Sequence, residues 1–354
     1  MSLAHTFAAQ LLRRTLEPEA AHRAAIRALQ AGLGPQARAD AFANLATTIA
    51  GLKLANPVGL AAGFDKNCEA PAGMLAAGFG FVECGTVTPL PQAGNPRPRM
   101  FRLPADRAVI NRLGFNNGGL DGFCTRLSAR KPGPGVIGAN VGANKDSADR
   151  IGDYCLALTR VWPFADYVTI NISSPNTPGL RGLQEKGALG ELLERTAQAR
   201  AAVSRDYGAR PLFLKVSPDI DDAAVADIAE LALAWRLDGL IVSNTTITRP
   251  ASLRSVARSE AGGLSGRPLL LASTEVLRDF AQTLKGRLVL IGAGGVGSGA
   301  CALMKIKAGA SAVQLYTALV YEGPGLAARI ARDLSLRLRA EGFKTVADAV
   351  GADL

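Results

Sequence analysis

From about residue 57 the chain alternates short β-branched runs, each ending in small or polar residues, with longer Ala/Leu-rich stretches of helical period, and does so eight times. The apolar runs fall at 58–62, 79–84, 136–141, 167–172, 212–216, 239–242, 288–291 and 312–315, and helical candidates lie between them at 188–207, 223–235, 268–284 and 299–308. Strand then helix, repeated over roughly 250 residues, predicts an α/β fold closed as a parallel (β/α)8 TIM barrel. A doubly wound open sheet is the competing fold. It would open on G-x-G-x-x-G after its first strand, and Ala61-Ala62-Gly63-Phe64-Asp65-Lys66 does not supply that pattern. In a barrel the working side chains stand at the C-terminal ends of the strands. Lys66, Thr86, Asn140, Asn171, Lys215, Asn244, Gly294 and Tyr316 all fall at or just after an apolar run.

Residues 1–40 stand outside this pattern, and 41–354 are assigned to the barrel. Leu3, Phe7 and Leu11 recur every four residues, and Pro18 opens a second segment carrying Ile26, Leu29 and Leu33, so two short amphipathic helices are expected. Arg13, Arg14, Arg23, Arg27 and Arg38 outnumber Glu17 and Glu19 there. An interfacial membrane anchor and a helical hairpin capping the barrel both satisfy this pattern. No uncharged apolar run of roughly eighteen residues is present, and the first twenty residues lack the apolar block of a signal peptide, so neither a membrane span nor export is expected.

Composition narrows the chemistry. The two histidines, His5 and His22, both precede the barrel, which excludes Ser-His-Asp hydrolysis and most His-ligated metal chemistry. Cys68, Cys84, Cys124, Cys155 and Cys301 lie far apart without a C-x-x-C pair, so no metal site is expected and reduced thiols in a cytosolic compartment fit best. The formal charge is +10, but Lys and Arg are scattered, so no nucleic-acid partner is expected. Such a surface favours anionic ligands or an anionic lipid face, or serves solubility alone.

Three loops are rich in amides and hydroxyls: Asn171-Ile172-Ser173-Ser174-Pro175-Asn176-Thr177-Pro178, Asn111-Arg112-Leu113-Gly114-Phe115-Asn116-Asn117, and Ser243-Asn244-Thr245-Thr246. Each alone reads as turn chemistry. Asn111, Asn171, Asn176 and Asn244 together can converge on one planar heterocycle bearing carbonyl and N–H groups. Lys66 and Lys215, at the ends of the first and fifth runs, can stabilise an anionic substrate or negative charge developing on a cofactor. The glycine-rich stretch from Gly292 to Gly299, with Gly262 to Gly266 and Tyr316-Thr317, stands where barrels commonly bind phosphate. A phosphate-bearing redox cofactor in a histidine-free barrel points towards FMN. Glycines alone do not identify it, and a flavin-free barrel isomerase or aldolase would use the same loop and a lysine.

Seven segments together resemble the dihydroorotate dehydrogenase family: AAGFDK at 61–66, GTVTP at 85–89, GNPRPRMFR at 94–102, INRLGFN at 110–116, NISSPNTPGLR at 171–181, SNTT at 243–246 and GGLSGRP at 262–268. The resemblance implies FMN at the barrel mouth, with Ala62, Gly63, Thr86, Asn140, Asn171, Lys215 and Ser243 about its ring and ribityl chain. Gly266, Gly295, Tyr316 and Thr317 would hold its phosphate. It implies that Lys66, Asn111, Asn171, Asn176, Asn244 and Thr245, with the Arg112-Leu113-Gly114-Phe115 run, hold dihydroorotate. A proton would leave ring C5 to Ser174 and a hydride would leave C6 to flavin N5. Fumarate- and NAD-using classes of the family carry cysteine at the position of Ser174, so serine resembles the class that reduces a membrane quinone, ubiquinone or menaquinone. The N-terminal segment resembles that class's quinone tunnel, with His22 and Arg102 near the head group. A peripheral place on the cytoplasmic face of a bacterial membrane follows as an expectation. Three details depart from the family's usual pattern. Ser243 replaces threonine, Lys215-Val216-Ser217-Pro218 replaces Lys-Ile-Ala-Pro, and the segment from Gly294 to Ser298 lacks an acidic residue.

Overall fold

The computed structural model describes residues 15–354 apart from Lys131, Pro132 and Pro134. The first of the two expected amphipathic helices, carrying Leu3, Phe7 and Leu11, lies outside the described residues. Eight parallel strands close a barrel: β3 (Val58–Leu60), β4 (Phe81–Val87), β7 (Val136–Val141), β8 (Tyr167–Asn171), β9 (Leu212–Val216), β10 (Gly239–Val242), β12 (Val289–Ala293) and β13 (Ala312–Leu315). Closure is made by β13 pairing with β3, with Val313 opposite Val58. In β3, β4, β7 to β10 and β13 every residue is buried, because the interior fills one face and helices cover the other. This is why the strands read as unbroken apolar runs instead of alternating ones.

Helices α2 (Pro71–Ala76), α3 (Gly119–Ser128), α4 (Arg150–Val161), α5 (Lys186–Tyr207), α6 (Asp222–Ala234), α7 (Leu270–Leu284) and α8 (Gly299–Lys307) follow strands around the outside; α9 (Thr317–Glu322), α10 (Leu326–Ala340) and α11 (Val346–Ala349) complete the chain. Several starts follow from local chemistry. Asp149, Asp221 and Ser298 each accept a backbone N–H of the first turn that would otherwise lack a partner.

Two features were not read from the sequence. A hairpin of β1 (Thr47–Ile49) and β2 (Leu52–Leu54) closes the barrel floor, packing Ile49 and Leu54 against Phe81, Tyr167 and Phe213. Its signal was Thr47-Thr48-Ile49 before Ala50-Gly51, two positions that both take positive φ, as a tight hairpin turn requires. An antiparallel sheet of β5 (Met100–Leu103), β6 (Ala108–Asn111) and β11 (Gly263–Gly266) joins insertions from distant parts of the chain, pairing Asn111 with both Met100 and Gly263.

Of the N-terminal segment, α1 (Pro18–Gln30) is described. It starts as expected, with Pro18 in the first turn and the Glu17 carboxyl accepting from Ala20 N at 3.3 Å. Ile26 and Leu29 are buried, whereas Leu33 lies beyond the helix and is exposed. Glu19, one of the charges counted in this segment, is buried in an ion pair with Arg99. No helix among the described residues is long and apolar enough to cross a membrane.

Candidate active site

A cavity of about 900 Å³ opens over the C-terminal ends of the strands and continues to the underside of α1. The barrel interior beneath it is organised by one carboxyl. Glu83, the one charged residue in β4, is fully buried and accepts from Asn140 Nδ2 (2.8 Å), Tyr167 OH (3.1 Å), Thr169 Oγ1 (3.1 Å) and Gln314 Nε2 (3.0 Å). Four donors are what make a carboxyl tolerable in an apolar interior. They also fix which way Asn140 faces. Its Oδ1 then accepts from Thr86 Oγ1 (2.6 Å) and Asn171 Nδ2 (3.2 Å), and Asn171 Nδ2 also reaches Thr86 Oγ1 (2.8 Å). The chain continues upward. Ser173 Oγ donates to Asn171 Oδ1 at 2.9 Å and accepts from Asn244 Nδ2 at 2.9 Å. Orientation thus passes by hydrogen bonds from the floor of the barrel to its rim.

The rim loops are tied together by Arg181, whose guanidinium donates to Ser173 O (3.1 Å), Asp219 Oδ2 (2.7 Å) and Thr245 O (2.9 Å), joining the loops after β8, β9 and β10. Between them Ser174 is buried against the cavity, with its Oγ accepting from Asn176 N at 3.3 Å. Asn176 Nδ2 donates to Asn111 Oδ1 at 3.1 Å, bringing the loop after β8 to the end of β6. Thr177 Oγ1 and Thr245 Oγ1 are buried without a hydrogen-bond partner among the described residues.

Two lysines face the cavity. Lys66 donates to Gly63 O at 2.8 Å, and burial lowers its ammonium pKa to about 8 against the opposing pull of Glu19. Its loop is held by the buried Asp65 carboxyl, which accepts from Glu69 N and Ala70 N at 2.7 Å each. Lys215, 5% exposed, has neither a hydrogen bond nor an ion pair among the described residues, and burial lowers its pKa too. A buried amine whose N–H groups lack a hydrogen-bond partner among the described residues offers them to an electron-rich group in the cavity.

At the far wall, Thr317 Oγ1 donates to Ser265 Oγ at 2.8 Å, linking the start of α9 to β11. Gly295 takes φ +76°, and a Cβ there would lie 2.5 Å from Leu270 Cα, so only glycine lets this loop turn beside the cavity. Under α1, His22 meets Phe64 edge-on at 5.1 Å between ring centres and lies 3.4 Å from Tyr316 OH through Nδ1. Burial, and then the charge of Lys66, lowers the His22 pKa to about 3, so the imidazole is neutral at physiological pH. Arg102 donates to Leu16 O at 2.9 Å across the same opening.

Ala62, Gly63, Lys66, Thr86, Asn111, Leu113, Gly114, Phe115, Asn171, Ser174, Asn176, Lys215, Ser243, Asn244, Thr245, Gly266, Gly295, Tyr316, Thr317, His22 and Arg102 all border this one cavity. Two residues singled out from the sequence do not. Asn140 lies one layer below, and Arg112 turns away, pairing with Glu260 at 2.8 Å and covering the Phe101 ring at 4.5 Å. Glu83, Glu19, Arg99 and Arg181 were missed as contributors. For Glu83 the signal was present, as the one charged residue inside a strand that is buried throughout.

A parallel barrel whose mouth gathers amides, hydroxyls and two amines around a deep cavity defines a barrel enzyme acting on a small, polar, planar substrate. The family model described as Dihydroorotate dehydrogenase matches residues 44–338, and the chain belongs to that family. It is similar to the Dihydroorotate dehydrogenase (quinone) of Parvibaculum lavamentivorans, at 54% identity over 346 residues covering 98% of each chain. It is similar also to that of Rhodospirillum rubrum, at 55% identity covering 96% of this chain and 92% of that one. Among solved structures, the DHODH of Eimeria tenella in complex with ferulenol superposes with a TM-score of 0.92 at 42% identity, covering 95% of this chain and 96% of that chain.

Proposed function

We propose that this chain is an oxidoreductase that converts dihydroorotate to orotate in pyrimidine biosynthesis, with FMN as its cofactor and a membrane quinone as the final acceptor. The observation that carries this reading is a single continuous cavity bordered by Lys66, Asn111, Ser174, Asn176 and Asn244 and, under α1, by His22 and Arg102. The residues suit a flavin. Lys215 is a buried amine without a hydrogen bond or ion pair among the described residues, Asn171 and Thr86 are oriented from below, and Gly266, Gly295, Tyr316 and Thr317 form a glycine-bearing wall for a phosphate. When bound, FMN supplies two-electron acceptance from a C–H bond and onward delivery to a second acceptor.

The chain's own groups do the rest. Lys66 has two N–H bonds left for a substrate carboxylate after its bond to Gly63 O. Asn111, Asn176 and Asn244 present amides to the ring's carbonyl and N–H edges, so an apolar analogue would leave them unsatisfied. Ser174 Oγ takes the proton from C5 of the substrate ring, and Thr177 Oγ1 in the same loop, buried without a partner among the described residues, holds the water that carries the proton on. The segment bearing α1 faces the membrane and admits the quinone beneath that helix, giving a peripheral place on the cytoplasmic face. His22, being neutral, accepts or donates one hydrogen bond there without adding charge.

The test is anaerobic addition of dihydroorotate to the yellow holoenzyme, followed by ubiquinone, fumarate or NAD. The colour bleaches, and ubiquinone alone restores it. A colourless protein, or restoration by fumarate or NAD in preference to quinone, overturns the reading.

The free-enzyme pKa of Lys66 adds a pH expectation. Binding an anionic substrate needs the ammonium form, so kcat/KM for dihydroorotate falls as pH rises through about 8. In Lys66→Arg, whose charge persists to higher pH, this alkaline limb moves up or vanishes. An unchanged limb in that variant removes Lys66 from the titration.

A further inference from the structure

The ion pair that seats α1 is joined by hydrogen bonds to the loops that carry Asn111 and Asn176. Glu19, on the first turn of α1, receives Arg99 Nε at 2.8 Å and Arg99 Nη2 at 3.0 Å in a two-pronged bond, with Arg97 Nη2 adding a third at 3.2 Å. Both partners are nearly covered, at 9% and 6% exposure. The remaining prong of Arg99, Nη1, donates to Ala93 O at 2.7 Å and Asn95 O at 2.8 Å, so its fork spans α1 and the segment before β5. That segment bonds onward. Asn95 N donates to Leu113 O at 3.0 Å, and Asn95 Nδ2 donates to Arg112 O and to Asn176 O, each at 3.0 Å. Asn176 in turn holds Asn111 through the 3.1 Å bond between their amides. There is no slack at the join. Gly94 takes φ +77°, and a Cβ there would lie 2.9 Å from Arg99 Nη1 and 2.8 Å from Asn116 Cβ.

We propose that Glu19, Arg99 and Asn95 are positioning residues for the oxidisable substrate, so that α1 belongs to the dihydroorotate end of the site as well as to the acceptor end. This inference rests on the functional reading above. Without Glu19 the Arg99 fork loses two of its four bonds in a buried place and must rotate towards water or another acceptor. Asn95 then loses its fixed carbonyl, and the amides of Asn176 and Asn111 lose their common support. A residue that only anchored α1 would alter stability and quinone use and leave substrate affinity alone.

The experiment measures orotate binding to the flavin-loaded enzyme, by the change it causes in the visible spectrum, in wild type, Glu19→Gln, Asn95→Ala and the double variant. Each single change weakens orotate binding by about tenfold, and the double variant is no weaker than the worse single one, as expected for residues acting through one path. Asn95→Ala keeps the Glu19–Arg99 pair, so it decides the matter even where Glu19→Gln does not fold. Orotate affinity within twofold of wild type in Asn95→Ala overturns the proposal, as does a Glu19→Gln enzyme that loses only melting temperature and quinone affinity. Wild-type holoenzyme that binds no orotate would overturn the functional reading itself, before any variant is compared.

Discussion

Ser174→Ala lowers the rate at which dihydroorotate bleaches the bound flavin by about 10²- to 10⁴-fold, the usual worth of a positioned proton acceptor, while flavin and orotate remain bound. The reason lies in how little else the hydroxyl does. Its Oγ accepts one bond, from Asn176 N at 3.3 Å, and makes no hydrogen bond to any barrel strand among the described residues. Removing it leaves the Asn171–Ser173–Asn244 chain intact, since those bonds run through Ser173. Folding is therefore nearly unaffected, and the loss falls on the chemical step. Thr177→Val probes the next link, because its buried Oγ1 lacks a partner among the described residues and is the natural support for a relayed water. That change slows the same step by a smaller factor. Near-normal bleaching in Ser174→Ala, measured anaerobically by stopped flow, removes serine from the role of base.

Lys66→Ala acts on binding. A charged hydrogen bond is worth about 1.5–3 kcal/mol, so KM for dihydroorotate rises roughly 10- to 150-fold, with a smaller change in kcat. The side chain is half-buried, and its only hydrogen bond among the described residues is to Gly63 O, so little folding energy depends on it. Quinone KM is measured alongside, because Lys66 is near enough to His22 for its charge to act on that ring. An unchanged KM for dihydroorotate takes Lys66 out of the carboxylate site. Equal losses for both substrates would mean that the loop after β3 had collapsed, not that a contact had been lost.

Much of this enzyme is legible locally. The strands at 136–141, 212–216, 239–242 and 312–315 coincide with apolar runs, and α5 to α8 begin within two or three residues of the periodic stretches. They do so because a barrel strand buried on both faces has to be continuously apolar, and that is a property of adjacent residues. The segments that were read only as motif loops became strands. Residues 108–111 pair with 263–266 about 150 positions away, and no local pattern in either stretch states that partner.

The order of strands and helices, the absence of imidazole from the barrel, and the polar residues at the strand ends were determined by the sequence alone, since each is stated by neighbouring residues. The tertiary structure decided which of those groups meet. It set Glu19 on Arg99, eighty positions away, buried Glu83 under four donors, turned Arg112 outward and made His22 neutral by enclosing it. The physical reason is that partner choice and desolvation depend on how the barrel closes and how α1 lies across its mouth, and neither is a property of any short stretch of chain.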